Sequence, residues 1–343
     1  MGRKTPFQIV CLLAFGAFAA VSCYLTVESI HLSLPSVPRW CFWIAIVGLY
    51  VLTSYGTKMI MDSFDRNKIM DNRTAKFVGG LIIVLITWLF VSFPTNTHSC
   101  FYFKMAKPTA KSEQLYFINQ FKQLTNEETA IGKFNEDFTK KVEKVNAAKT
   151  ALEAEIEHPE RPGVGDQAER CLQKVENELG VKVGTITRLS HIGRSQREIN
   201  TAIKFYSNQI ATQLKIQSEQ QEQQLKSHLK NFRKEAGELN TQIANMNANI
   251  SNLDNPEYDE EKTLAQSRQL IRTAAGTLSA KGIKDDYKGY RSERLTNVTE
   301  VWADMFKGEF KGKDYGLIYW ILFSLVIDLA AFCFFNVAFK EKD

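Results

Sequence analysis

Residues of the kinds that form catalytic and metal sites are few and scattered in this sequence. It has five histidines, which are His31, His98, His158, His191 and His228. None of them stands at metal-ligand spacing from cysteine or carboxylate residues. The chain also lacks a phosphate-binding P-loop, a glycine-rich dinucleotide turn and a nucleophile elbow. These absences predict a protein that is not an enzyme and that uses no metal or cofactor.

A second absence argues against nucleic-acid binding. The chain carries a net charge of +5, but its basic residues are not interleaved with aromatic residues as they are in proteins that bind single strands. Much of the positive excess lies in short stretches beside long apolar runs. Membrane topology therefore accounts for the charge, and no nucleic-acid partner is expected.

Long runs that are nearly free of charge are the main feature that the sequence does have. The mean hydropathy is only −0.23, yet apolar residues are concentrated in four runs, at about 7–27, 40–60, 77–93 and 317–339. As a helix, about 20 apolar residues cross a hydrocarbon core roughly 30 Å thick. We therefore predict an all-α protein that spans a lipid bilayer. Residues 1–103 hold three transmembrane helices, 104–314 form a large polar helical domain, and 315–343 hold a fourth transmembrane helix and a short tail.

The first apolar run allows a second interpretation. Arg3 and Lys4 precede it as in a signal peptide, and the stretch 20–23 loosely matches a lipoprotein cleavage site. The run is longer than the apolar core of a usual signal peptide, which favours a retained helix. Cleavage would leave the rest of the topology unchanged.

Basic residues beside the runs predict the orientation of the chain. One side of the membrane would hold Arg3, Lys4, Lys58, Arg66, Lys68, Arg73, Lys76, Lys340 and Lys342. The short loop 28–38 on the other side contains no lysine or arginine. Cytoplasmic loops are enriched in these residues, so we expect both termini in the cytoplasm and the domain 104–314 outside it, as in a bacterial inner-membrane protein with a periplasmic domain. Aromatic residues of the kind that mark a membrane interface agree with this outer side, namely Trp40, Trp43, Trp88, Tyr319 and Trp320.

A heptad pattern runs through the polar domain. Its apolar positions follow one another at alternating steps of four and three residues, and they are Leu225, Leu229, Phe232, Ala236, Leu239, Ile243, Met246, Ile250 and Leu253. This spacing is typical of the apolar face of a coiled coil. A single helix over 196–252 would be roughly 85 Å long. Two interpretations stay open, since the heptad face can pack within one subunit, which we favour, or between subunits of a homo-oligomer.

Asp328 is the most informative single residue because it lies near the middle of the fourth apolar run. An ionisable group at that depth costs about 2.5–3.5 kcal/mol on insertion scales and commonly faces a bundle interior or a wet pathway. Candidate hydrogen-bond partners on the other runs are Thr53, Ser54, Tyr55 and Thr87. A structural hydrogen bond that fixes helix packing is the favoured interpretation, and proton or cation conduction is the alternative.

Two further pairs of residues carry weaker predictions. Cys100 and Cys171 both fall in the extracytoplasmic part, where an oxidising compartment would permit a disulfide, although free thiols remain the favoured interpretation. Gly16 with Ala20, and Gly79 with Gly80, place small residues where helices can approach closely.

The layout of the membrane region resembles that of a group of bacterial proteins. The residues that carry the likeness are the stretch 63–66 (Ser-Phe-Asp-Arg) after the second run and the stretch 91–99 (Val-Ser-Phe-Pro-Thr-Asn-Thr-His-Ser) after the third. They resemble uncharacterised four-span membrane proteins in which a large helical loop separates the third and fourth spans. Such proteins often carry an acidic residue in the last span, and Asp328 has the corresponding place in this sequence. The resemblance implies an architecture and no activity. The charged loop 62–68 is expected to determine topology rather than to bind a cytosolic partner.

Two functional hypotheses follow. The first is a non-enzymatic envelope scaffold or interaction protein that presents its helical domain to an envelope partner or to further copies of itself. The second is an ion or proton channel, or another ion-driven device, in which Asp328 carries or gates charge.

Overall fold

The computed structural model describes residues 5–64, 72–186, 195–289, 291–307 and 316–339, and these residues form helices and no strands. The ten α-helices are α1 (Pro6–Ser33), α2 (Arg39–Phe64), α3 (Arg73–Thr87), α4 (Phe93–Leu124), α5 (Glu127–Ile156), α6 (Asp166–Leu179), α7 (Gln196–Asp254), α8 (Glu260–Ala280), α9 (Val298–Phe306) and α10 (Gly316–Phe339). A π-helical turn, Trp88–Ser92, joins α3 to α4, and a 3₁₀ turn, Arg294–Thr296, precedes α9. The all-α prediction is therefore confirmed for the described residues. The basic residues at 3, 4, 66, 68, 340 and 342 and most of the loop 62–68 lie outside them.

Four helices are long and apolar enough to cross a membrane, as predicted. They are Pro6–Ser33, Arg39–Phe64, Arg73–Leu124 and Ile318–Phe339. The third differs from the prediction because helix continues for about 30 residues beyond the expected end of the span at 93. The π-helical turn stands directly before Pro94, which has no backbone N–H to donate. Such local widening lets a helix pass a proline without breaking.

The chain divides into two compact units. The first unit is Met1–Ile118 with Asn245–Asp343, and the second unit is Asn119–Ala244. This division differs from the predicted domains, because residues at both ends of the polar stretch 104–314 belong to the same unit as the apolar helices. Hydrogen bonds join these parts: Arg39 at the start of α2 donates to Glu261 of α8 at 2.6 Å.

In the first unit, α1 packs against both α2 and α10, and α2 packs against α3. Gly56 and Gly80 permit the contact between α2 and α3. A methyl group added at Gly80 would stand 2.5 Å from the Gly56 carbonyl oxygen, so the predicted close approach at Gly80 is present. At Gly16 a methyl group would meet no atom within 4 Å. The close approach predicted there is not made by any of the residues that the structure describes.

A second part of the first unit packs outside the apolar helices. Its buried cluster joins α4, the end of α7, α8, the 3₁₀ turn and α9, and consists of Phe101, Tyr102, Ala106, Ala110, Leu253, Leu264, Leu295 and Val301. This cluster fixes the beginning of α4 and the short helix α9 beside the end of α1 and the start of α10, since Leu32 and Trp320 pack against it. Both elements take part in the sites described below.

The second unit has its own core, formed by α5, α6 and the first part of α7. Its fully buried side chains include Leu152, Ile156, Leu179, Tyr206 and Ile210. Helix α6 ends at Gly180, whose φ of +74° is the left-handed conformation that glycine adopts without strain. The unit therefore has the apolar burial that a separately packed domain needs.

The heptad face of α7 lies on the less exposed side of the helix. Leu239, Ile243, Met246 and Leu253 are buried within the chain, whereas Leu225, Leu229, Phe232 and Ile250 are half-buried. Around the first part of this face, α7 contacts α5, since Gln221 donates to the Phe134 carbonyl oxygen at 3.3 Å and Arg233 pairs with Glu127. These contacts fit packing within one subunit, and a coiled coil between subunits stays a prediction.

Candidate functional site

The candidate site is Asp328, which α10 places among three other segments of the first unit. Helix α10 is mainly apolar, with Ser324 and Asn336 as its other polar residues, and Asp328 is only 4% exposed. The side chains around it come from α1, from the π-helical turn and from the first turn of α4. The predicted burial of this carboxyl group is therefore present, and its partners are specific.

Four side chains donate hydrogen bonds to Asp328. Ser22 Oγ of α1 donates to Oδ1 at 2.9 Å, and Asn96 Nδ2 of α4 donates to Oδ1 at 3.2 Å. The indole Nε1 of Trp88 donates to Oδ2 at 3.1 Å, and Ser92 Oγ stands 3.2 Å from both oxygens. Trp88 and Ser92 are the two ends of the π-helical turn. A carboxylate has about four acceptor positions, so these donors fill its capacity.

A second set of hydrogen bonds holds the donors in place. Asn96 Nδ2 also donates to the hydroxyl oxygens of Ser22 at 2.5 Å and Ser92 at 3.1 Å. The carbonyl oxygen of Asn96 accepts from Thr26 at 3.0 Å, which fixes its amide group so that the nitrogen faces Asp328. Thr95 donates in turn to Thr26 at 3.1 Å. These bonds therefore orient the donor groups toward the Asp328 carboxylate.

The polar contact between α1 and α4 continues beyond Asp328. Ser29 and His98, both fully buried, stand 2.8 Å apart, and the other ring nitrogen of His98 is 2.9 Å from the Leu295 carbonyl oxygen. A histidine with one nitrogen near a carbonyl and the other near a hydroxyl is satisfied as a neutral ring that donates to the carbonyl. Ser99 donates to the Leu25 carbonyl oxygen at 2.6 Å. These bonds fix the crossing of α1 and α4 over several helical turns.

The partners predicted for Asp328 from the sequence are wrong. Thr53 Oγ1 donates to Thr87 Oγ1 at 2.8 Å, because the α2–α3 contact at Gly56 and Gly80 brings the two residues together. Tyr55 is 58% exposed and faces away. Trp88, which the sequence predicts to be an interface anchor, donates its indole N–H to the carboxylate. The sequence does hold a pattern that indicates these partners: α1 is mainly apolar but carries Ser22, Thr26, Ser29 and Ser33 at steps of four, three and four, which form a polar stripe on one side of the helix.

A small cavity lies beside Asp328. It has a volume of about 50 Å³, and a buried water needs about 10–15 Å³ of such space. Its polar lining includes Tyr50, Thr53, Thr57, Thr87 and Ser92, and apolar side chains of α1, α2 and α10 complete it. The cavity has room for a few water molecules next to the carboxyl group, although the donors already described occupy both carboxyl oxygens.

Other predicted site residues stand apart from Asp328. Cys100 is buried against Leu25 and Ile327 in the first unit, and Cys171 is half-buried against the core of the second unit. Both are free thiols in this structure, which agrees with the favoured interpretation, and the alternative disulfide is not formed. Within the described ranges, no three histidine, cysteine or acidic residues are grouped so as to hold a metal ion.

Comparisons with known proteins give no further guidance. No protein-family model, no curated protein and no solved structure matches the chain.

Proposed function

We propose that this chain is a non-enzymatic membrane protein that acts as an envelope scaffold, anchored by four spans and presenting its helical second unit to a partner. The observation that supports this proposal best is the saturation of Asp328. Its two oxygens accept from four side chains, and two of the donors, the N–H groups of Trp88 and Asn96, have no way to reverse direction. A carboxylate held in this way joins helices together, which is the role of a structural anchor.

The second unit supplies the presented surface. It has a separate apolar core, so exposed side chains on α7 such as Lys230 are free to contact another molecule without loss of packing. Following the basic-residue bias, we place this unit outside the cytoplasm, in the periplasm of a bacterial cell. An envelope protein is the favoured partner, and further copies of this chain are the second possibility.

Photo-cross-linking in intact cells tests the scaffold. With p-benzoylphenylalanine in place of Lys230, irradiation should give a discrete protein adduct of constant mass. The matched control is Leu322, which is 57% exposed on α10 and faces lipid if α10 spans the membrane. The mass of the adduct distinguishes an envelope partner from a second copy of the chain. If probes at Lys230 and at other exposed positions of α5 and α7 give no protein adduct, the scaffold proposal fails.

The cavity favours a second candidate, an ion or proton device. It places the hydroxyl groups of Tyr50, Thr53 and Thr57, at intervals of about one helical turn on α2, along the same space as Asp328. Water in that space would supply a route to the carboxyl group from one side. This candidate requires that Asp328 exchange a proton or bind a cation, which competes with its four hydrogen bonds. A flux measurement distinguishes the two candidates.

A further inference from the structure

The short helix α9 connects the packed polar part of the first unit to the fourth span, and its two sides differ. Val301 is buried in the cluster with Phe101 and Leu295, and buried Asp304 pairs with Arg294. These contacts fix one side of α9 against protein. Its other side carries Trp302 and, one helical turn later, Phe306.

Contacts of α9 place it at the level where two spans end. The indole Nε1 of Trp302 donates to the Pro94 carbonyl oxygen at 3.2 Å, and its ring centroid is 5.7 Å from that of Phe93. Phe93 and Pro94 stand at the end of the third apolar run. At the start of α9, the Val298 backbone N–H donates to Ser33 Oγ, at the end of α1. Contacts with two different helices therefore hold α9 at the level where their apolar runs end.

Phe306 projects from this position. Apart from Trp302, none of the residues that the structure describes covers its side chain. Its side chain is 79% exposed, and its ring centroid is 6.0 Å from that of Trp302. The starts of α2 and α10 also carry exposed aromatic residues, since Trp40 is 64% and Tyr319 59% exposed. Trp and Tyr are enriched at the boundary between lipid headgroups and acyl chains, because each has an apolar ring and a polar group that stays hydrated. Phe is common on the apolar face of helices that lie in this boundary.

We propose that α9 is an interfacial helix that inserts Phe306, with the edge of Trp302, into the headgroup–acyl boundary of the phospholipid bilayer. The occupant of this exposed aromatic face is thus lipid, which continues the lipid contact of the adjacent spans. Amphipathic helices bind such boundaries through their apolar face. A helix of only nine residues is long enough to insert here, because α9 is covalently joined to α10 and its insertion is therefore an intramolecular event. The inserted helix would couple the polar part of the first unit to the membrane surface.

Lipid photo-cross-linking with the full chain in phosphatidylcholine liposomes tests this proposal. We would place p-benzoylphenylalanine separately at Phe306, at Leu322 of α10 and at Leu115 of α4, and would measure covalent addition of labelled phospholipid. Leu322 is the positive control. Leu115 is 48% exposed but lies roughly 30 Å further along α4 than Pro94, so it is the matched apolar control outside the membrane. Since Phe306 is exposed, its replacement leaves the buried contacts of α9 intact.

We expect the lipid adduct at Phe306 to approach the yield at Leu322 and to exceed the yield at Leu115 several-fold. A yield at Phe306 no higher than at Leu115, in a preparation in which the Leu322 probe labels lipid, would overturn the proposal. A predominant adduct between two chains at Phe306 would also overturn it, because the exposed aromatic face would then be occupied by protein.

Discussion

Loss of the indole donor of Trp88 should destabilise the first unit, and the effect should depend on Asp328. Trp88→Phe keeps an aromatic ring in place but removes the Nε1–H that donates to Oδ2 at 3.1 Å. A hydrogen bond to a charged group contributes about 1.5–3 kcal/mol in water-soluble proteins. Bonds between membrane helices average only about 0.6 kcal/mol, with a maximum near 1.7 kcal/mol. We therefore expect Trp88→Phe to lower the free energy of unfolding by about 1 kcal/mol.

Asp328→Asn should cost a similar amount, since the new amide –NH₂ must face an N–H group of either Trp88 or Asn96 whichever way it is turned. A double-mutant cycle of Trp88→Phe with Asp328→Asn, measured by unfolding of the protein in lipid bicelles, should give a coupling energy of about 0.6–1.7 kcal/mol. Trp302→Phe is the matched control, because it also removes an indole donor but one that bonds to Pro94. Additive effects of Trp88→Phe and Asp328→Asn, or equal coupling for Trp302→Phe, would refute the assigned role of Trp88.

Two other perturbations test the packing and the electrostatics of the first unit. Gly80→Val should lower the free energy of unfolding in detergent by about 2 kcal/mol, because the added atoms would clash with the Gly56 backbone and overpacking costs about 1–3 kcal/mol. The control variant Gly16→Ala should have little effect, because no atom lies within 4 Å of the added methyl group. Equal stability of the two variants would contradict the described α2–α3 contact. Burial raises the pKa of Asp285, but the stronger combined effect of Arg291, at 2.8 Å, and of the Tyr287 backbone N–H lowers it overall. Its stabilising contribution is thus present above the unfolded-state pKa of about 3.9 and is lost as the pH falls through the lower folded-state value. Asp285→Asn should accordingly reduce the loss of Tm on acidification below about pH 4, and an unchanged acid profile would contradict the ion pair.

The parts of the fold that follow from the period and length of apolar runs were predictable. The four helices that are long and apolar enough to cross a membrane, and the helical nature of the remainder, required only runs of about 20 apolar residues and 3.5-residue spacing. The heptad positions of α7 also lie on its less exposed side. These features depend on residues close in sequence, so no knowledge of the tertiary arrangement was needed.

The partners of Asp328 depended on the tertiary arrangement and were therefore missed. Thr53 and Thr87 appeared suitable by composition and depth, but the glycine contact between α2 and α3 pairs them with each other. Ser22 and Asn96 are brought to Asp328 because α1 packs against both α10 and the π-helical turn. The continuation of helix past Pro94 was also unexpected, since a proline ordinarily marks a helix boundary and the compensating π-helical turn has no simple sequence signature.

Flux through reconstituted protein tests the central claim, that Asp328 joins helices rather than carries charge, most directly. Proton and cation flux would be measured in liposomes that contain the native chain or the Asp328→Asn variant, with protein-free liposomes as the baseline. We predict that neither protein raises flux above the baseline and that the variant differs only in stability. Flux through the native chain that Asp328→Asn abolishes, while the variant remains folded, would contradict the scaffold account and identify Asp328 as the charge-carrying residue of a conducting protein.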